Sequence, residues 1–402
     1  MKRKILFVDD DPQLLKSLGR MLWSYRDSWD MAFVDSGEKA LELMARNNFE
    51  VVVADMRMPG MDGQQLLSQV RALHPWALRV ILSGDSDRDS IMRAVPVSHQ
   101  FLTKPVTADQ LAAVIERGCN LREMVLSKEI RTLIGGIDSL PALPEVYRIL
   151  LEELEKDSSG PEALAAIISR DVALSADVLK LVNSSFFSPR MRVSGVAQAV
   201  TLLGTETIKG LVLGVQLFKT FDTAKFPNFR FENLWEHCLQ TARLARLIAV
   251  QEDQPHHVQD DSFIAGMLHD LGKFVLAQYL PLRYGRTVAL SREDNASICE
   301  AEQRSLSTTH AQAGAYLLGL WGIADNVIEA VAYHHEPAQC CMASFSPLTA
   351  VHAANAMQHE LVRLSPEFAE HPMDMGYIAG LGLEERIPVW RERCREALEA
   401  EA

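Results

Sequence analysis

The chain has 402 residues, 48% hydrophobic and 23% charged. At about 150 residues per domain this suits two or three globular domains, and it excludes a disordered or collagen-like polymer. Forty basic against 53 acidic side chains leave a net charge of −13, which argues against nucleic acid or an anionic membrane as the main partner.

The six cysteines, Cys119, Cys238, Cys299, Cys340, Cys341 and Cys394, form no CxxC pair and read as reduced thiols of a cytoplasmic protein. The apolar run Ile5–Val8 is broken at once by Asp9-Asp10-Asp11, too short for a secretory signal. No stretch approaches the roughly 20 apolar residues of a membrane span.

Strand and helix signals alternate over the first 120 or so residues. Apolar strands are expected at 5–8, 51–54, 80–82 and 101–102. A helix opens at Pro12, with Leu14, Leu15, Leu18 and Leu22 at helical spacing, and another covers 37–46. This rhythm predicts an α/β doubly wound parallel sheet, whose site lies at the carboxyl ends of the strands. Asp9, Asp10, Asp55, Ser83 and Lys104 all fall there. Carboxylates converging at one sheet edge repel each other unless a cation joins them, and Mg²⁺ prefers such oxygen ligands.

A helix is expected over 107–117, with a pattern that runs on through Leu121, Val125, Leu126 and Ile130; Gly118 and Gly135-Gly136 are candidate breaks. Helical periodicity then dominates. Leu140–Pro144 reads as a turn into a helix at 145–155. Pro161 starts another helix, Leu174, Val178, Leu179, Leu181 and Val182 form a stripe, and 196–218 is strongly apolar. The expected domains are 1–122, a helical linker at 123–137, an all-α domain at 138–365 and a helical extension at 366–402 ending in a solvated amphipathic helix at 383–402.

Chemistry in the helical half rests on histidines: His237, His269 beside Asp270, His310, and the doublet His334-His335. Neutral imidazoles with a carboxylate suit Fe, Mn or Zn, and such a metal could activate water against a phosphoester. His256 and His257 read as loop residues, and His74 and His99 as surface residues.

The first 120 residues resemble the receiver (phosphoacceptor) domain of bacterial two-component response regulators, through Val8-Asp9-Asp10, Asp55 to Gly63, Leu82-Ser83-Gly84 and Phe101 to Pro105. The resemblance implies a flavodoxin-like fold in which Asp55 takes a phosphoryl group from a sensor histidine kinase. Asp9, Asp10, Asp55 and the backbone carbonyl of Arg57 would bind Mg²⁺. Lys104 and Ser83 would contact the phosphoryl oxygens, and Phe101 would be an aromatic switch.

The helical half resembles the HD phosphohydrolase superfamily and, more closely, its HDOD branch. That likeness rests on Ile137–Pro144, Leu181–Ser184, Ala199–Gly204 and Leu268-His269-Asp270-Leu271-Gly272-Lys273. It implies a metal set of His237, His269, Asp270, His310, His334, His335 and Asn355, with Lys273 as a phosphate contact. Asn355 stands where the hydrolases keep an aspartate; His352, three residues earlier, is a candidate stand-in. No Gly-Tyr-Pro follows the doublet, as it does in hydrolases of cyclic dinucleotides.

Two functions follow. One is a phosphorelay response regulator whose HDOD domain is a signalling scaffold for a downstream protein or a second copy of the chain. The alternative is a phosphorylation-controlled, metal-dependent phosphohydrolase of a nucleotide or phosphoester.

Overall fold

The structure, a computed structural model, describes residues 2–83, 98–124, 160–171, 193–219, 231–321, 323–340, 344–362 and 372–399, with isolated positions between 130 and 182. Gly84, the run at 137–144, Leu181, Asn183, Ser184, Cys341 and the Gly135-Gly136 break lie outside the described residues, as does the helix expected at 145–155 except for Ile149, Leu150 and Glu153, which are helical. The chain divides into two compact units, an N-terminal α/β unit and a larger helical one.

The α/β unit runs β1 (Arg3–Val8), α1 (Pro12–Met21), β2 (Trp29–Val34), α2 (Gly37–Met44), β3 (Val51–Asp55), α3 (Gly63–Leu73), β4 (Leu78–Ser83), β5 (Gln100–Thr103) and α4 (Ala108–Met124). The five strands are parallel, in the order β2-β1-β3-β4-β5. Strand β3 is buried at every position, because both sheet faces are covered by helices. Leu6, Val52 and Ile81 pack against Ala40 and Met44 of α2 and Leu66, Leu67 and Val70 of α3. Full burial of such an aliphatic side chain contributes about 1.5–3 kcal/mol.

Helix ends follow local chemistry. Asp11 caps α1 by accepting from Gln13 N at 2.7 Å, with Pro12 in the first turn, and Asp62 and Gln65 form a reciprocal capping box on α3. Register then sets the site. Val8 of β1 lies beside Ala54 of β3, so Asp9 and Asp55 emerge together where the strand order reverses.

Strand β2 was not expected. It is an edge strand in which only Trp29 is buried, so it lacks the continuous apolar run of the inner strands. Gly118 does not break the helix there but lies inside α4, which extends to Met124.

The helical unit contains α5 (Pro161–Ile168), α6 (Val196–Leu203), α7 (Thr205–Lys219), α8 (Phe231–Gln251), α9 (His256–Leu268), α10 (Leu271–Tyr279), α11 (Pro281–Glu293), α12 (Ile298–Leu306), α13 (His310–Leu320), α14 (Asp325–Tyr333), α15 (Pro347–Leu361), α16 (Met375–Gly380) and α17 (Ile387–Glu399). The apolar stretch at 196–218 is two helices, parted at Gly204, whose φ of +83° only glycine adopts readily. Helix α8 packs along α9 and α15, and α14 packs on both α9 and α15.

Two expectations are corrected. His256 and His257 are exposed but open α9, because Pro255 before them starts the helix. The C-terminal helix is not merely solvated: Ile387, Trp390 and Cys394 of α17 are buried, and the Trp390 indole donates to Glu252 of α8 at 2.7 Å.

Helices α10 and α13 meet at Gly272. A Cβ there would lie 1.9 Å from the carbonyl oxygen of His310, so backbone must move to admit any side chain. Gly272→Ala is expected to cost about 1–3 kcal/mol and to lower the urea midpoint. Gly380→Ala, where nothing among the described residues lies within 4 Å, should raise stability by up to about 1 kcal/mol. Equal midpoints for wild type and Gly272→Ala would contradict the close approach.

Candidate functional site

The α/β unit gathers buried charge at the ends of β1, β3 and β5. Asp9 and Asp55 are both buried. The Lys104 ammonium lies 2.8 Å from Asp9 Oδ2 and is hydrogen-bonded to Asp55 Oδ1. Arg57 N donates to Asp55 Oδ2 at 2.8 Å, and Asp11 N to Asp9 Oδ1 at 3.0 Å. Ser83 is buried at the end of β4, and its carbonyl accepts from Lys104 N at 2.7 Å.

Two carboxylates thus share one ammonium. Burial pushes the Asp55 carboxyl above its ordinary pKa; Lys104 opposes this and the Asp9 charge adds to it. Burial works against the charge of Lys104, but Asp55 and Asp9 raise its pKa. An oxygen-only donor set with surplus negative charge fits a hard divalent cation.

Asp10 is exposed beside this pair. Phe101 lies in β5, but its side chain is outside the described residues. His99 is not a plain surface residue: its ring is half-buried and accepts from Arg79 N at 3.0 Å.

In the helical unit, Asp270 is the hub. It follows α9 and is fully buried. Its Oδ2 lies 2.6 Å from Lys273 Nζ, 3.5 Å from His269 Nε2 and 3.6 Å from His237 Nε2. Its Oδ1 lies 3.2 Å from His310 Nε2 and 3.8 Å from His334 Nε2. His335 Nε2 lies 3.1 Å from His310 Nε2. The expected residues therefore form two ligand groups that share Asp270: His237, His269 and Asp270, and Asp270, His310, His334 and His335.

The far side of each ring explains what the near side offers. Nδ1 of His269 meets Gly266 O at 2.7 Å, and Nδ1 of His334 meets Val331 O at 2.8 Å. Nδ1 of His237 meets Gln358 Oε1 at 2.8 Å, and Nδ1 of His310 meets Glu302 Oε2 at 2.7 Å. These oxygens only accept, so each Nδ1 carries a proton and donates it. In the neutral ring Nε2 keeps its lone pair, facing Asp270.

Burial holds three of the rings neutral, pushing His237 down to about 3 and His269 to about 4, and His334 well below its ordinary range. Burial also disfavours the imidazolium of His310, but Glu302 and Asp270 raise its pKa. Burial resists the charge of Asp270, yet Lys273, His269 and His310 hold its pKa well below the ordinary value. Among the described residues, His334 Nε2 is buried without a hydrogen-bond partner. Such an orphaned lone pair beside a carboxylate fits a divalent transition metal.

Asn355 is buried on α15, and its Oδ1 has no hydrogen-bond partner among the described residues. His352 is no stand-in ligand. Its Nδ1 lies 2.8 Å from His334 O, and its Nε2 accepts from Asp374 N at 2.8 Å, so both ring nitrogens are spent. Glu302, Gln358 and His359, whose ring lies 4.8 Å from that of His237, were missed. Gln358 and His359 lie three and four residues after Asn355, on the same helix face, and that spacing was the available signal.

The raised pKa of Asp55 makes its ionisation costly to folding. That cost is absent below the unfolded value, about 3.9, and full above the raised folded value. In chelator-containing buffer Asp55→Asn should exceed wild type in stability near pH 7, the gain shrinking as the pH falls. Urea midpoints against pH check this, and a variant less stable than wild type at neutral pH would contradict it.

Comparison with known proteins supplies the family. Residues 5–116 match the response regulator receiver domain, and residues 140–337 match the HDOD domain. The transcriptional regulatory protein GlrR of Escherichia coli is 37% identical over 116 residues, 28% of this chain and 25% of that protein. An uncharacterized protein of Treponema pallidum is 25% identical over 237 residues, 56% of this chain and 45% of that one. The chain thus spans less than half the length of these relatives. An HDOD domain protein of unknown function from Geobacter sulfurreducens shares the fold, with a TM-score of 0.53 and 24% identity over 71% of this chain and 99% of that one. The chain is a two-component response regulator in which an N-terminal receiver domain is followed by an HDOD domain.

Proposed function

We propose that phosphoryl transfer from a sensor histidine kinase to Asp55 controls the HDOD region, which acts as a signalling scaffold for a downstream protein. The observation that carries the first half is the Lys104 ammonium bridging buried Asp9 and Asp55. An Asp55 oxygen attacks the phosphorus of a phosphohistidine; the P–N bond breaks as the acyl phosphate P–O bond forms. Positioning and charge neutralisation do most of the work in such transfers. Mg²⁺, held by Asp9, Asp10, Asp55 and the Arg57 carbonyl, would supply further neutralisation of the phosphoryl charge. Lys104 is free to leave Asp55 for a phosphoryl oxygen once that carboxylate is esterified. The Ser83 hydroxyl would take a second oxygen, with Phe101 as the switch that follows it.

The scaffold reading rests on closure. His269, Asp270 and His310 are 0% exposed, His334 1% and His237 7%, and of the two ligand groups only His335 is half-buried, whereas a hydrolytic centre must admit a phosphoester and water. Lys273 also already neutralises one Asp270 oxygen. Within this reading a divalent Fe, Mn or Zn ion would sit with Asp270, His310, His334 and His335 as a structural element. The domain limits proposed are 1–122 for the receiver and 138–365 for the output, joined by 123–137 and followed by 366–402.

A second reading, a metal-dependent phosphohydrolase, is favoured by the orphaned Nε2 of His334. Two assays on the full chain separate the readings. With acetyl phosphate and Mg²⁺, wild type should gain one phosphoryl group by intact mass and Asp55→Asn none; a labelled variant would refute Asp55 as acceptor. With Mn²⁺ and bis(p-nitrophenyl) phosphate, no turnover is expected. Turnover that His334→Ala abolishes would establish the hydrolase.

A further inference from the structure

Glu302 lies on α12, a different helix from the histidines and Asp270, and it carries no sequence motif. It is 0% exposed. A buried carboxylate is expensive unless its hydrogen-bonding capacity is filled, and this one is filled by three donors. Its Oε2 accepts from His310 N at 2.8 Å and from His310 Nδ1 at 2.7 Å, and its Oε1 accepts from Tyr284 OH at 2.9 Å.

His310 opens α13, so its backbone N–H is one of the helix's four donors without an intrahelical partner. Glu302 satisfies that donor from a neighbouring helix and places negative charge at the helix start. A cap explains the backbone contact. It does not explain the second contact of the same oxygen, to the ring.

We infer that Glu302 is a positioning residue of the histidine cluster: it locks the His310 ring with Nδ1 protonated and Nε2 turned to Asp270 and His335. Held from both backbone and ring, His310 cannot rotate without stranding a buried carboxylate. The anion also makes the imidazole a better donor to a metal, as outer carboxylates do for metal-bound histidines generally. This rests on the metal reading above for its purpose, but not for its geometry. Tyr284 fixes the opposite oxygen and so orients the carboxylate itself.

Two variants of the full chain test it. In Glu302→Gln the amide oxygen can still accept both His310 donors while the amide NH₂ faces the Tyr284 hydroxyl, so the cap survives and the charge is lost. In Glu302→Leu both are lost. The readouts are imidazole ¹⁵N spectra of the metal-free chain and Co²⁺ affinity.

The expected results are an Nδ1–H His310 in wild type and Glu302→Gln, loss of that tautomer in Glu302→Leu, and a Co²⁺ affinity lowered about 10- to 100-fold in Glu302→Gln. Unchanged affinity in Glu302→Gln would reduce Glu302 to a helix cap and overturn the inference, as would a wild-type His310 ring whose Nδ1 carries no proton. Should Glu302→Leu fail to fold, Glu302→Gln still decides. If wild type binds no Co²⁺, the metal reading falls, and the wild-type tautomer decides for or against Glu302.

Discussion

A fully buried carboxylate is among the most demanding groups a helical core can contain, and the helical unit is arranged around one. Asp270 faces Lys273 from its own helix turn, His237 from α8, His269 from the end of α9, His310 from the start of α13 and His334 from the end of α14. Each of these helices must arrive within a few ångströms of one point, which is why Gly272 admits no side chain between α10 and α13. Stability alone does not call for such a network. Buried ion pairs replaced by apolar residues of similar volume are often neutral or stabilising, whereas losing one partner costs about 3–5 kcal/mol. The cluster therefore points to the capacity to hold a cation, for which the His334 Nε2 lone pair, unpartnered among the described residues, is a ready donor.

The receiver poses the same electrostatic problem in a smaller form. Burial and the Asp9 charge work against Asp55, and Lys104 relieves this only in part. On the reading proposed above, phosphoryl transfer would convert this carboxylate into an acyl phosphate and move the negative charge from the carboxylate onto the phosphoryl oxygens. Both units thus use an aspartate–lysine pair as a local charge balance that a further ligand can reset. In the receiver the balance sits at the carboxyl ends of the inner strands; in the HDOD region it is enclosed by helices.

Much of this was legible in the amino acids. The inner strands are unbroken apolar runs because both faces of a parallel sheet are buried, and the polar residue closing each run marks the site. The His269-Asp270 pair and the His334-His335 doublet stand out because such residues are rare in apolar helices. Strand β2 was not legible, since an edge strand with one buried residue has no distinct pattern. Glu302 was hidden for another reason, and for Gln358 the one hint was its spacing from Asn355. Glutamate and glutamine are ordinary on helix surfaces, and only the packing of α12 and α15 turns these two inward. The same packing commits His352 to the His334 carbonyl and Asp374, which its spacing from Asn355 alone did not reveal.

The claim on which the account of the helical unit turns is that Asp270 and its histidines hold a divalent transition metal. Metal analysis of the full chain, purified without chelator, tests it directly beside an Asp270→Asn variant that keeps the side-chain volume. About one Fe, Mn or Zn per wild-type chain is expected, with a marked loss in the variant. A folded wild-type chain with no bound metal, or equal metal in both proteins, would contradict it.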